Sequence, residues 1–327
     1  MRSNSISEIA NALRKGDDFL LTTHVHPDGD GIGAETALAL GLKQLKKTVM
    51  VVNSDPIPSN YCFLPLEGLF RDRVPKHAYF SCAVALECSE PERLGKLQET
   101  FRGIETIINI DHHPGNTWFG DYNYVRTEAC AVGEQVYDIL KTMKVRIDPG
   151  MAACIYTSIL TDTGSFSYSN TTWRTHEIVE DLIKLGANPT DIYQAVYESN
   201  SPGKIQLLGE ILSTLSFSPD KRVAWVTMTR KAFKDTHTSY EDAEGMINYA
   251  RSIKTVDIAI SFTELNSGKV KVSFRSKTHE QDVNKLAALF NGGGHTRASG
   301  CVIDDTLENT KKQVLERVLL FMKKSVK

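Results

Sequence analysis

The run Asp18-Phe19-Leu20-Leu21-Thr22-Thr23, followed at once by His24-Val25-His26-Pro27-Asp28-Gly29-Asp30-Gly31-Ile32-Gly33, decides the fold of this chain. Residues 18–23 are apolar on both faces, as a strand buried inside a parallel sheet must be. From Gly33 to Leu45 apolar residues recur at helical spacing, so the two segments read as a strand feeding a crossover helix. Strand-like runs return at Thr48–Asn53, Cys82–Leu86 and Thr106–Ile110, and helical patterns at Ala131–Met143, Pro149–Leu160 and Thr172–Leu185. This alternation predicts a doubly wound α/β domain around a parallel sheet.

At 327 residues the chain is long for one core, and the pattern changes past its middle. Ile192–Leu215 is helical but broken at Ser201-Pro202-Gly203. Val223–Met228, Asp257–Glu264 and Lys269–Arg275 read as strands, the last two joined by the turn Asn266-Ser267-Gly268. A helix over Val283–Phe290, a Gly-Gly-Gly loop at 292–294, a short strand at Gly300–Ile303 and a closing helix from Leu307 to Lys323 complete a smaller mixed α/β domain. The expected division is a metal-binding catalytic domain at 1–186, a helical connector at 187–220 and a substrate-binding domain at 221–327.

The 38 basic and 40 acidic side chains leave a net charge of −2, so no long-range field draws in a long duplex nucleic acid. The six cysteines lack C-x-x-C spacing and the N-terminus lacks an apolar leader core, which points to a reducing cytoplasm. Apolar runs fall short of the ~18 residues of a membrane span.

Ligands of open parallel sheets bind beyond the carboxyl ends of the strands. There this chain places His24, His26, Asp28 and Asp30 after the first strand, Glu87 after the third, and Asp111, His112 and His113 after the fourth, while Asp162 follows a helix. Oxygen and imidazole donors without thiolate companions suit a divalent ion such as manganese better than structural zinc. Gly29, Gly31 and Gly33 are expected to let the backbone turn tightly between ligands, and the helix starting near Gly33 to offer amide donors to an anion.

The segments HVHPDGDGIGA, NIDHHPGNTWFGDY and SILTDTGSFSYSNT resemble the motifs of the DHH phosphoesterase family, and KVSFRSK and FNGGGHTRASGC resemble its C-terminal companion domain. The likeness spans nearly the whole chain and is nearest to the nano-RNase and pAp-phosphatase subgroup. It implies two Mn2+ ions, with Co2+ or Mg2+ as substitutes. His24 and Asp28 would hold one, Asp30, His112 and Asp162 the other, and Glu87 would bridge them where the family has aspartate. It further implies that His113 faces the substrate phosphate, that Asp111 orients a ligand from behind, and that Arg275, His295 and Arg297, with Gly293 and Gly294, contact substrate. Short single-stranded RNA, pApA or pAp would be the substrate, and a homodimer is compatible with the resemblance. The absence of a G-x-S-x-G elbow agrees with hydrolysis that needs no serine nucleophile.

Other readings compete with these. A cyclic-dinucleotide phosphodiesterase and a manganese pyrophosphatase share the N-terminal motifs, and Glu87 leaves room for a relative with weakened chemistry. His26 reads as a residue supporting a ligand, Asp55 as a strand end, and Trp118 with Phe119 as packing. His77, His176, His237 and His279 read as surface residues.

Overall fold

The computed structural model describes residues 3–278 and 280–324, with the side chains of His295, Lys323 and Lys324 outside that description, as is His279 altogether. In chain order, α1 (Ile6–Lys15) leads into β1 (Asp18–Thr22), α2 (Gly29–Gln44), β2 (Thr48–Val51), β3 (Cys82–Leu86), α3 (Gln98–Arg102), β4 (Thr106–Asp111) and β5 (Tyr122–Val125). Helices α4 (Val132–Thr142), α5 (Pro149–Asp162), α6 (Trp173–Lys184) and α7 (Pro189–Tyr197) follow.

The five strands pair in the order β2-β1-β3-β4-β5, all parallel. Strand alternation sends Phe19 and Leu21 of β1 to one face, among the buried apolar residues of α1, α2, α4 and α5. Leu20 goes to the other face, with Leu94, Leu97 and Phe101. Both faces are covered, which is why the strands read as unbroken apolar runs. Strand order reverses between β1 and β3, and such a reversal opens a crevice at the carboxyl ends. His24 and Glu87 stand on its two sides.

The chain divides between Ser199 and Asn200 into two compact units. The segment 187–220, expected as a connector, is taken up by both: Ile192 and Val196 of α7 are buried in the first core, and Leu207 and Ile211 of α8 (Pro202–Ser213) in the second. The second unit continues with β6 (Ser216–Phe217), β7 (Val223–Met228), α9 (Arg230–Asp235), α10 (Ile247–Ser252), β8 (Ile258–Glu264) and β9 (Val270–Ser276). It ends with α11 (Val283–Ala288), β10 (Gly293–His295), β11 (Ala298–Ile303) and α12 (Leu307–Lys324). Its six strands pair in the order β10-β11-β9-β8-β7-β6; β7 and β8 are parallel and the other pairs antiparallel. The expected glycine loop is therefore a strand. Gly293 to His295 pair with Ala298 to Gly300 in a tight hairpin.

Candidate metal centre

The ligand segment after β1 differs from its expected form. Helix α2 begins at Gly29, four residues before the apolar periodicity does, and Asp28 is its N-cap. The Asp28 Oδ1 accepts bonds from Asp30 N (3.0 Å) and Gly31 N (3.2 Å), so amides expected to face an anion are already satisfied by a candidate ligand. None of Gly29, Gly31 and Gly33 has a positive φ. They are needed for closeness: a Cβ on Gly31 would lie 2.2 Å from Thr23 Oγ1 and 2.9 Å from Glu87 Oε2, and one on Gly33 only 2.4 Å from the Cys154 carbonyl of α5.

Among the described residues, three sets of side chains bring donor atoms within 4.8 Å of one another: His24, Asp28 and Glu87; Asp30, His112 and Asp162; and Glu87, His112 and His113. Glu87 belongs to two of them. It adopts a left-handed backbone (φ 55°), uncommon for a residue with a side chain, fixed by a bond from its N–H to Ile110 O.

Tautomers follow from the backbone. His24 Nδ1 lies 2.6 Å from Val25 O and His112 Nδ1 3.2 Å from Ala129 O, so both Nδ1 atoms carry the proton and both Nε2 lone pairs face inward. His24 Nε2 then sits 3.3 Å from Glu87 Oε2, a buried oxygen that accepts no hydrogen bond. His112 Nε2 lies 3.8 Å from Asp30 Oδ2 and 3.9 Å from Asp162 Oδ2. Electron pairs aimed at a common point fit a divalent cation.

The titration behaviour agrees. Burial pushes the His24 imidazole below its ordinary value, which leaves it neutral as a ligand must be. Burial, with repulsion among the acids, pushes Asp30 and Glu87 above the ordinary carboxylate range and Asp162 up to about 7. Burial would lower His112, but Asp30 and Asp162 outweigh it and raise it. Cations placed among these groups reverse that balance.

A layer of bonds holds the donors from behind. Asp30 accepts from Val132 N (2.8 Å) and Gly133 N (3.1 Å) at the start of α4, and from Ser158 Oγ of α5 (2.5 Å). Asp111 is fully buried and accepts from His113 Nδ1 (2.8 Å) and Asn116 Nδ2 (2.6 Å); burial would raise its pKa, but these bonds hold it below its ordinary value. Thr22 Oγ1 and Thr23 N both donate to Asn53 Oδ1 (3.1 Å), and Asn53 Nδ2 donates to buried Glu35 Oε1 (2.6 Å), which pins the end of β1 beside His24.

Other expectations resolve differently. The exposed His26 does not support a ligand; its N–H donates to Asp55 Oδ2 (2.8 Å), so Asp55 joins the loops after β1 and β2 instead of ending a strand. Phe119 packs on the apolar face containing Leu20. All six cysteines are free.

Residues 18–159 match the N-terminal domain of the DHH family, and residues 222–324 match the DHHA1 domain. A protein of Thermus thermophilus named bifunctional oligoribonuclease and PAP phosphatase NrnA is 31% identical over 315 residues, which cover 96% of this chain and 92% of that protein. The chain belongs to the DHH family. A Bacillus subtilis family member of the same name is 27% identical over 303 residues, 91% and 93% of the two chains. The crystal structure of an exopolyphosphatase-related protein from Bacteroides fragilis matches this DHH chain with a TM-score of 0.88 and 27% identity over 97% of each.

In the DHHA1 unit the register sets Arg275 of β9 beside Ala298, which itself pairs with His295. Burial lowers the pKa of the half-buried Arg275, and nearby Arg251 lowers it further. Arg297 is exposed, and its carbonyl accepts from Ser276 N. The glycines divide in role: a Cβ on Gly292 would meet Gly300 O at 2.2 Å, and one on Gly294 (φ 141°) would meet Ala298 O at 2.6 Å, whereas one on Gly293 would meet nothing nearer than Asn284 Oδ1 at 4.0 Å.

Sequence reading missed Asn116, Asn53 and Glu35 behind the ligands, and three tyrosines beside them. Asn116 had a signal, lying inside the quoted segment after His113. Glu35 is a lone acid on the apolar face of a helix, which was a sign of a buried partner.

Proposed function

We propose that the chain is a manganese-dependent phosphoesterase that hydrolyses short oligoribonucleotides, pApA among them, to 5′-mononucleotides, and that removes the 3′-phosphate of pAp. The observation that carries this reading is the sharing of Glu87 between two ligand clusters at the β1/β3 crevice. The full-length likeness to oligoribonuclease and PAP phosphatase proteins supports the substrate class.

In this reading His24 and Asp28 would hold one cation and Asp30, His112 and Asp162 the other, and Glu87, clustered with His24 and Asp28 on one side and with His112 and His113 on the other, would serve both. Held there, a pair of divalent cations supplies Lewis acidity for attack by water and neutralises charge on the leaving oxygen of an in-line displacement. The chain's own groups do the positioning. Bonded to Asp111 through Nδ1–H, the His113 ring in its doubly protonated form donates Nε2–H to a phosphate oxygen, and Asn116 fixes Asp111 in turn. Arg275, His295 and Arg297 bind a substrate phosphate, for which arginine forks are suited, and Gly293 admits it close to the backbone, whereas Gly294 is needed for the hairpin itself. Mixed imidazole and carboxylate donors favour manganese over magnesium, which prefers oxygen alone. The free thiols suit a reducing cytoplasm.

The test is metal content by mass spectrometry with initial rates on pAp, pApA, RNA of increasing length, pyrophosphate and a cyclic dinucleotide. Fastest turnover of pApA or pAp with manganese is expected, falling as RNA lengthens. Fastest turnover of pyrophosphate or the cyclic dinucleotide replaces the substrate reading, and equal rates with magnesium remove the metal preference.

A further inference from the structure

Beside the metal centre, within the first unit, lies a cavity of about 390 Å³. Its lining includes Asp28 and Asp162, one carboxylate from each of two ligand clusters, so whatever fills it lies against both cation positions. Aromatic rings form much of the rest: Tyr61, Tyr168 and Tyr197. Tyr61 is buried, and the Tyr197 hydroxyl donates to Leu160 O (3.5 Å). Tyr168 is 53% exposed.

The segment carrying Tyr168 is strained. Gly164, Ser165 and Phe166 have φ of 54°, 56° and 64°, a left-handed turn in which two of the three residues bear side chains. Bonds from Ser165 N to Leu160 O (2.8 Å), Phe166 N to Thr163 Oγ1 (3.1 Å) and Tyr168 N to Thr163 O (3.0 Å) hold it. One product of the turn is the position of the Tyr168 ring. It lies directly over Gly164, where a Cβ would meet its Cζ at 2.4 Å. Strain held by surrounding bonds is a mark of a working site.

We propose that Tyr168, with Tyr61 and Tyr197, forms a stacking subsite for the nucleobase of the nucleoside next to the scissile phosphate. This rests on the short-oligonucleotide reading above and names the part of the substrate that the aromatic wall holds. The cavity is at the small end of ligand pockets, a size for one nucleoside and not a stacked pair. The carboxylates at the cavity's edge are the ones assigned to the cations, so the phosphate goes to that side and the flat, neutral base is the part left to meet the three tyrosine rings. Stacking accepts every base, because each has a π-face, so the subsite selects for a base without reading its identity.

The test compares wild type, Tyr168→Ala and Tyr168→Phe on pApA, pUpU and a dinucleotide whose first nucleoside lacks its base. Tyr168→Ala is expected to lower the kcat/KM ratio of pApA, and of pUpU, over the abasic substrate about tenfold, and Tyr168→Phe to retain the ratio. An equal loss on all substrates, or none, overturns the subsite. Should the wild type turn over no dinucleotide, the proposed reaction fails, and calorimetric binding of adenosine 5′-monophosphate still decides the subsite. Binding about tenfold weaker in Tyr168→Ala than in Tyr168→Phe supports it; equal binding, or none by the wild type, overturns it.

Discussion

The two regions that carry this protein's charged functional residues are built on opposite terms. In the first unit the candidate ligands sit at strand ends, at the start of α2 and at the last residue of α5, with Asp30 and Glu87 buried and each held by backbone bonds or strained φ. Their glycines leave no spare volume. In the second unit Arg275 is half-buried, Arg297 exposed, and Gly293 uncrowded, with Asn284 Oδ1 4.0 Å from where a Cβ would lie. A small cation demands fixed donors at short range, and a few tenths of an ångström matter. A phosphate on a flexible chain is met by long forks that adjust, so exposure costs little and space is useful.

If that contrast holds, the largest effects come from the rigid side. Asp162→Ala is expected to reduce turnover by about a thousandfold or more, since Lewis-acid stabilisation amounts to several kcal/mol. Metal content measured on the same sample must fall with it; full activity ends the two-cation reading. Next comes Glu87→Asp. The shorter side chain withdraws the carboxylate by roughly one bond, about 1.5 Å, and misplacement near 1 Å costs about a hundredfold. The Glu87 carboxylate shares one cluster with His24 and Asp28 and another with His112 and His113, so kcat with saturating manganese is expected to drop. A tenfold rise instead means that glutamate is the misplaced ligand and that the protein is a weakened enzyme.

On the adjustable side, Arg275→Ala is expected to raise KM for short oligonucleotides about ten- to a hundredfold while metal content is unchanged, the loss of one charge-assisted contact. Loss of metal in that variant breaks the separation between the two regions. The smallest effect belongs to Asn53→Ala, which frees the end of β1 and is expected to weaken manganese affinity about tenfold. Metal titration followed calorimetrically reads it, and normal affinity limits Asn53 to folding.

The ligands were legible because acids and histidines placed after apolar strands are rare enough to stand out, and strand ends converge in a parallel sheet. The start of α2 was hidden by its own glycines. Gly29, Gly31 and Gly33 are poor helix formers, so propensity pointed to a turn where packing against Thr23, Thr161 and Cys154 demanded a helix without side chains. The glycine hairpin was hidden for a similar reason, since pairing of β10 with β11 requires backbone contact that composition does not announce. Helix α1 and strand β5 were both missed: α1 carried a signal in the capping box of Ser5 and Glu8, whereas β5 is only four residues long and carries little. The tyrosine cavity could not be seen at all, because residues 61, 168 and 197 meet only after folding.

Asp28 carries two duties, and this bears on how an inactive form should be made. Replacing it with alanine removes a cation donor and also uncaps α2, with a cost to stability of about 1 kcal/mol, so lost activity would be confounded with a loosened helix. Asparagine keeps the capping oxygen and gives up only the charge. The Asp28→Asn variant should therefore keep its native melting behaviour while losing cation affinity, which makes it the form in which to trap an uncleaved oligonucleotide.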